Sequence, residues 1–333
     1  MKKTVERYFV GRFILSTALL FFSSTLSAAE WFQESLFQHW AQSFCIDEKC
    51  YEEITEQQDL MIFKNNFFGE ILVLDGVIQT TQADEFIYHE MLAHVPLLSH
   101  GDVKTVLIVG GGDGGILREV LKHKGVEKVV LVEIDASVIE FSKIHLPFLS
   151  CGSFNDARVH VVVQDGSLFV KESSEEFDVI ICDSPDPEGP GRVLFTKEFY
   201  GDCKKRLSSH GIFVNQSGVP FLQKEELCMV YEGLREHFSD VKFYIAAIPT
   251  YIGGHMAFGW ATDREIKISK EDLRNRLKSV AGEFKYYTPA VHKAAFALPR
   301  YIEQLLNITS LYPTPLIPVA DITRVNLQDL KNS

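Results

Sequence analysis

The chain has 333 residues, 46% apolar and 23% charged, a length and balance that suit one large α/β domain with a small appended one. Its formal net charge of −12 argues against a nucleic-acid partner, since phosphate recognition needs clustered Lys and Arg, and is compatible with a cationic substrate. The six cysteines form no C-x-x-C pair, which argues against a structural zinc site, and Cys182 inside an apolar run reads as a small buried hydrophobe.

Residues 1–29 have the layout of a secretory signal peptide or of an upstream extension: Lys2, Lys3, Arg7 and Arg12 precede an uncharged stretch from Phe13 to Ala29. That stretch is short for a membrane span, and no other segment is apolar enough to cross a bilayer. A small β domain is expected over 30–83. In it, Asp59–Phe63 leads to an Asn65-Asn66 turn, and Glu70–Leu74 leads through Asp75-Gly76, a hairpin signal, to Val77-Ile78. Phe86–Leu98 then reads as an amphipathic helix, with Pro96 near its end.

Strand and helix signals alternate through the larger domain expected over 84–300. Strands are predicted at Val106–Val109, Val129–Val132, Val159–Val163, Val179–Cys182 and Ile212–Val214. Helices are predicted at Ile116–His123, Ala136–His145, Lys197–Leu207 and Glu225–His237. Short continuous apolar strands separated by helices imply a Rossmann-like, mostly parallel sheet with helices on both faces. Phe243–Ile248 and Met256–Thr262 read as an antiparallel edge, and 301–333 as a C-terminal tail.

The chemistry concentrates at the strand ends. Gly110-Gly-Gly-Asp-Gly-Gly115 follows a strand and opens a helix, and Glu133 ends the next strand; together they signal a nucleoside binder. Asp113 inside the glycine loop would repel a pyrophosphate, so a ligand with a positive centre is favoured; the alternative is a carboxylate that caps the helix. Asp165-Gly166 follows the third strand, where the carboxylate is placed to reach an adenine amino group, and Asp183-Ser-Pro-Asp186 follows the fourth. Asp113, Glu133, Asp165, Asp183 and Asp186 are thus expected to crowd one crevice, which calls for a cationic ligand; a diamine matches better than a metal ion, for which no His or Cys pattern exists. His89 and His94 lie five apart rather than the four a zinc-protease helix needs, and Ser184 is not in a G-x-S-x-G elbow.

Several ordered runs carry a resemblance: Leu72-Val-Leu-Asp-Gly-Val-Ile-Gln-Thr80, Asp84-Glu-Phe-Ile-Tyr-His-Glu90, Val109-Gly-Gly-Gly-Asp-Gly-Gly115, Val132-Glu-Ile-Asp135, Asp183-Ser-Pro-Asp-Pro187 with Gly189-Pro190, and Ala247-Ile-Pro-Thr-Tyr251. Over Trp31 to Pro299 the chain resembles the spermidine synthase family of polyamine aminopropyltransferases. The resemblance implies a class I methyltransferase-like Rossmann fold and transfer of an aminopropyl group from decarboxylated S-adenosylmethionine to putrescine. It implies that Gln58, Asp113, Glu133, Asp165, Gly166 and Pro190 contact the donor. His89, Asp113, Asp183, Ser184, Pro185 and Asp186, with Tyr88, Gln216 and Tyr251, would line the polyamine site, and Asp183 would be the catalytic base. Gln79 is a further family-like pocket position, and Trp31 resembles an aromatic residue near the amine site. No cofactor or metal is implied, the donor being a cosubstrate. Relatives of this kind are homodimers or homotetramers with no nucleic-acid or stable membrane partner, and the related pathway points to the cytoplasm rather than to export. Two departures stand out: Pro185 where relatives often have Ser or Thr, and Arg192 where they often carry Glu. The rival readings are a class I methyltransferase using intact S-adenosylmethionine, and an exported polyamine-binding protein.

Overall fold

A computed structural model describes residues 29–54, 59–184 and 189–306. Gln58, Pro185 and Asp186, and most of the expected N-terminal extension and C-terminal tail, lie outside them.

The N-terminal region forms two antiparallel sheets where the sequence suggested one. Strands β1 (Glu30–Gln33) and β2 (Ser43–Ile46) pair as a short ribbon. Strands β3 (Glu48–Ile54), β4 (Asp59–Asn65), β5 (Gly69–Leu74) and β6 (Val77–Thr81) make a four-stranded meander, turned at Asp75-Gly76 as predicted. Phe63, Ile71, Val73 and Ile78 bury one face of this meander with Phe44, while Leu60, Ile62 and Leu72 pack on Phe141, Leu146 and Leu149 of the larger unit.

Helix α1 (Glu85–His100) leads into that unit. It then runs β7 (Thr105–Gly110), α2 (Gly115–Leu121), β8 (Lys128–Glu133), α3 (Ala136–His145), α4 (Pro147–Ser150), β9 (Val159–Val163), α5 (Gly166–Glu172) and β10 (Phe177–Asp183). A 3-10 turn over Gly189–Phe195 precedes α6 (Lys197–Arg206), β11 (Leu207–Gln216), α7 (Lys224–Arg235), β12 (Asp240–Ala247) and β13 (His255–Thr262). Three short helices follow, α8 (Lys270–Leu277), α9 (Pro289–Ala295) and α10 (Arg300–Leu305).

The seven-stranded sheet has the order β12-β13-β11-β10-β7-β8-β9, parallel from β11 to β9, with β13 antiparallel to both β11 and β12. The expected antiparallel edge is therefore present. Strand pleating sends alternate side chains to opposite faces. Val106, Ile108, Val129, Leu131, Val179 and Ile181 face α1, α2, α8 and α9. Leu107, Val109, Val130, Val132, Ile180 and Cys182 face α5, α6, α7 and α10. Both faces are covered, which is why these strands read as unbroken apolar runs.

Two buried carboxylates of the α1 region fix distant segments. Asp84 accepts from Thr81 Oγ1 at 2.6 Å and from Thr250 N and Oγ1 at 2.9 and 2.6 Å, joining β6 to the loop after β12. Glu90, 1% exposed, accepts from the backbone N–H groups of Lys285, Tyr286 and Tyr287 at 2.7, 3.0 and 2.7 Å. Removing that carboxylate strands three donors, so Glu90→Ala is expected to lower stability by about 3 kcal/mol. Urea denaturation checks this, and an unchanged midpoint and slope would show that the tie contributes nothing.

Candidate active site

The chain leaves β7, builds outward through β8 and β9, and returns to the other side of β7 as β10. Neighbouring connections thus diverge between the carboxyl ends of β7 and β10, which opens a crevice there. The glycine loop follows β7, and Asp183 ends β10. Gly110 has φ +80°, and a Cβ there would lie 2.0 Å from the Asp183 carbonyl oxygen, so only glycine allows the two strand ends to meet. The Gly111 N–H donates to that same carbonyl at 3.1 Å.

Asp183 lies close enough to both Asp113 and Glu133 to feel their charges. Asp183 accepts from the Tyr88 hydroxyl at 2.5 Å. Burial, then repulsion from Asp113 and Glu133, pushes its pKa up to about 7, while Tyr88 and His89 act in the opposite sense. Burial likewise raises the Glu133 carboxyl, against the stabilising N–H groups of Asp135 and Gly112 at 3.1 and 3.2 Å. The Tyr88 hydroxyl is driven well above its ordinary pKa by burial and by Asp183, so it stays a donor.

Asp113 keeps both roles left open by the sequence. Its Oδ1 accepts from the Gly115 N–H at 2.7 Å at the start of α2, and its Oδ2 lies 3.5 Å from His89 Nε2. His89 is 3% exposed, and its Nδ1 bonds Glu85 Oε2 at 2.6 Å. Burial disfavours the imidazolium, but Asp113 and Glu85 outweigh it and hold the His89 pKa at about 10. A Cβ on Gly115 would lie 2.3 Å from the His89 ring, so the ring rests directly on the helix backbone.

The remaining expected residues are placed unevenly. Tyr251 meets the Tyr88 ring edge-on at 6.1 Å and donates to the Gln79 carbonyl at 2.6 Å, which brings Gln79, Tyr88 and Tyr251 together. Gln216, at the end of β11, donates to the Ser184 carbonyl at 3.1 Å and accepts from the Gly218 N–H at 2.9 Å, bracing the loop after Asp183. Asp165 caps α5 by accepting from Ser167 and Leu168 N–H at 2.8 and 3.1 Å, with Gly166 the first residue of that helix. Pro190 lies in the 3-10 turn, where Arg192 is exposed; Trp31 is 60% exposed on β1. Among the described residues no group of three or more His, Cys, Asp or Glu is arranged to hold a metal ion.

Known proteins identify the family of the chain. The family model for the spermine/spermidine synthase domain matches residues 85–272, and that for the spermidine synthase tetramerisation domain matches 30–82. The chain belongs to the spermine/spermidine synthase family. The polyamine aminopropyltransferase of Ruegeria sp. (strain TM1040) is 52% identical over 277 residues, covering 83% of this chain and 98% of that protein. That of Shigella sonnei (strain Ss046) is 52% identical over 275 residues, covering 82% and 96%. A crystal structure of spermidine synthase in complex with the transition state analogue AdoDATO superposes with a TM-score of 0.79 at 37% identity, covering 84% of this chain and 96% of that one. The spermidine synthase from Thermotoga maritima gives a TM-score of 0.77 at 36% identity, covering 84% and 95%. The family's methyltransferase-like architecture, with small antiparallel N-terminal sheets, is the fold described above.

Residues the sequence reading did not single out are Glu85 and Arg118. The one available signal was the four-residue spacing of Glu85 and His89 on a helix, which puts them on one face.

Because the Tyr88 hydroxyl stabilises ionised Asp183, Tyr88→Phe is expected to raise the Asp183 pKa above about 7. Carboxyl-carbon NMR of the ligand-free protein reads this directly; an unmoved titration would mean the hydrogen bond is not made in solution. The linkage has a definite sign. With a folded pKa above the unfolded value of about 3.9, the contribution of Asp183 to stability is fully present below pH ~4 and is lost as pH rises through about 7.

Proposed function

We propose that this member of the family is a spermidine synthase: it transfers the aminopropyl group of decarboxylated S-adenosylmethionine to putrescine, giving spermidine and 5′-methylthioadenosine. The observation that carries the reading is the set of Asp113, Glu133 and Asp183 at adjoining strand ends, two of them with carboxyl groups raised by burial. Buried like charges are unfavourable until a cation joins them, and this reaction brings cations from both substrates.

The residue roles follow from position. Glu133, at the end of β8, is placed to accept from ribose hydroxyls. Asp113 offers a carboxylate to the donor's ammonium. The sulfonium makes the thioether a good leaving group, so the protein has chiefly to align nitrogen, carbon and sulfur. The amine lone pair forms the new C–N bond, the C–S bond breaks, and its electron pair returns to sulfur. A free alkylammonium has a pKa of about 10.4 and is almost wholly protonated at pH 7, so a base must take its proton. Asp183, with a pKa of about 7, is suited to that task, and the bound cations would lower it further. No cofactor or metal enters this scheme. The match of residues 30–82 to a tetramerisation domain supports self-association, and we assign a homotetramer. The proposed location is the cytoplasm, where the related pathway makes the donor; N-terminal sequencing from the native cell separates this from export.

Asp183→Asn is expected to reduce turnover roughly 10²–10⁴-fold and to abolish the rise of kcat/KM through pH ~7. A variant with wild-type turnover would remove Asp183 from the base role. Asp113→Ala is expected to weaken binding of the donor, but not of methylthioadenosine, which lacks the amine. Equal weakening of both would refute the Asp113 assignment. Incubating wild-type protein and putrescine with either sulfonium separates aminopropyl transfer from methyl transfer, since only the former releases methylthioadenosine.

A further inference from the structure

His89 is held from two sides. Its Nδ1 lies 2.6 Å from Glu85 Oε2, and its Nε2 lies 3.5 Å from Asp113 Oδ2. A ring with a carboxylate at each nitrogen satisfies both only when both nitrogens carry protons. The same Glu85 oxygen accepts from Arg118 Nη2 at 2.8 Å, so its position is not free to follow the imidazole.

Arg118 is itself immobilised. Its Nε donates to Glu119 Oε1 at 2.7 Å, and its Nη1 to the carbonyls of Phe148 and Leu149 at 3.1 and 2.7 Å, so one guanidinium joins α1, α2 and α4. Glu119 is fixed in turn by His94 Nε2 at 2.9 Å and Lys122 Nζ at 2.7 Å. A nearly buried chain of charges therefore runs from the interior to the one carboxylate set in the glycine loop. With Glu85 5% and Arg118 14% exposed, neither residue needs this degree of burial for a surface ion pair.

We propose that Glu85 and Arg118 are positioning residues: they hold the His89 imidazole against Asp113 and so set the grip of Asp113 on the ammonium group of the donor. This rests on the aminopropyl-transfer reading above. It goes beyond that reading by placing donor selectivity partly in residues that do not reach the ligand. The effect is specific to the charged amine, because the thioadenosine part meets Glu133 and not this chain of contacts.

The test measures donor KM, kcat, the Kd of methylthioadenosine and the melting midpoint for Arg118→Met, Arg118→Lys and Glu85→Gln. Arg118→Met is expected to raise donor KM about tenfold while the methylthioadenosine Kd changes less than about twofold. Arg118→Lys keeps the charge but cannot bridge the same four acceptors, and falls between. Glu85→Gln, nearly isosteric, raises donor KM in the same sense and keeps the test open if Arg118→Met does not fold. In an Asp113→Ala background Arg118→Met adds no further rise, as expected for groups acting through one another. A purely structural role gives a lower melting midpoint and lower kcat with donor KM unchanged, or equal loss of both ligands, and either result overturns the proposal. Additive effects of Arg118→Met and Asp113→Ala overturn it as well. Wild-type protein that releases no methylthioadenosine from donor and putrescine overturns the activity itself, and this inference with it.

Discussion

Negative charge enclosed without enough counter-charge is the constraint on which the site depends. Asp183 is the half-buried last residue of a central strand, within electrostatic reach of Asp113 and Glu133. The fold makes this arrangement hard to avoid. Reversal of strand order at β7 puts the β7 and β10 ends side by side, and Gly110 lets them close to contact. The parallel pairing of Asp183 with Gly110 keeps the strand ends that carry the carboxylates together. The remaining ways of relieving it are protonation, the His89 imidazolium, or a bound cation.

Helix α1 lets that strained arrangement persist. Four of its residues make separate ties: Glu85 to Arg118, Tyr88 to Asp183, His89 to Asp113 and Glu90 to the backbone of Lys285–Tyr287. The helix is buried along almost its whole length, so its polar residues cannot turn to solvent and each has a defined partner. Asp84, just before it, holds Thr250 and so brings Tyr251 up to Tyr88. Sheet, loop and site are thus set by one helix that reads as amphipathic in the sequence but is buried on nearly every side.

Burial of this kind explains what could be read in the sequence. The buried strands were legible because both faces are covered, and the helices α3, α6 and α7 because a polar face alternates with a buried one. Strand β11 begins earlier than its apolar run, at Leu207, since Ser208, Ser209 and His210 continue the strand on its partly exposed start. The ribbon β1–β2 and the helices α4, α5 and α8 to α10 were not anticipated. They are short, and long-range packing sets them, as with Ile302 of α10 in the core beneath α7. At the site, Asp113, Glu133 and Asp183 were legible because strand ends are. Asp165 is found doing the local task of a helix cap, a role a carboxylate after a strand always competes for. Glu85 and Arg118 were not legible, because charged residues on a helix ordinarily face water and only tertiary packing turns these two inward.

In the proposed reaction charge moves within the crevice. Attack by a neutral amine removes the positive charge from sulfur and creates one on nitrogen. The charge therefore moves from the thioadenosine side towards the acceptor, where Asp183 waits. Once Asp183 has taken the amine's proton it is neutral, so the new cation is offset by the carboxylates that stay ionised nearby. Enclosure strengthens the effect, since water that would screen the developing charge is displaced by substrate. His89 lies on the Asp113 side of the site. With its pKa held at about 10, its imidazolium next to Asp113 offsets part of the repulsion among the carboxylates.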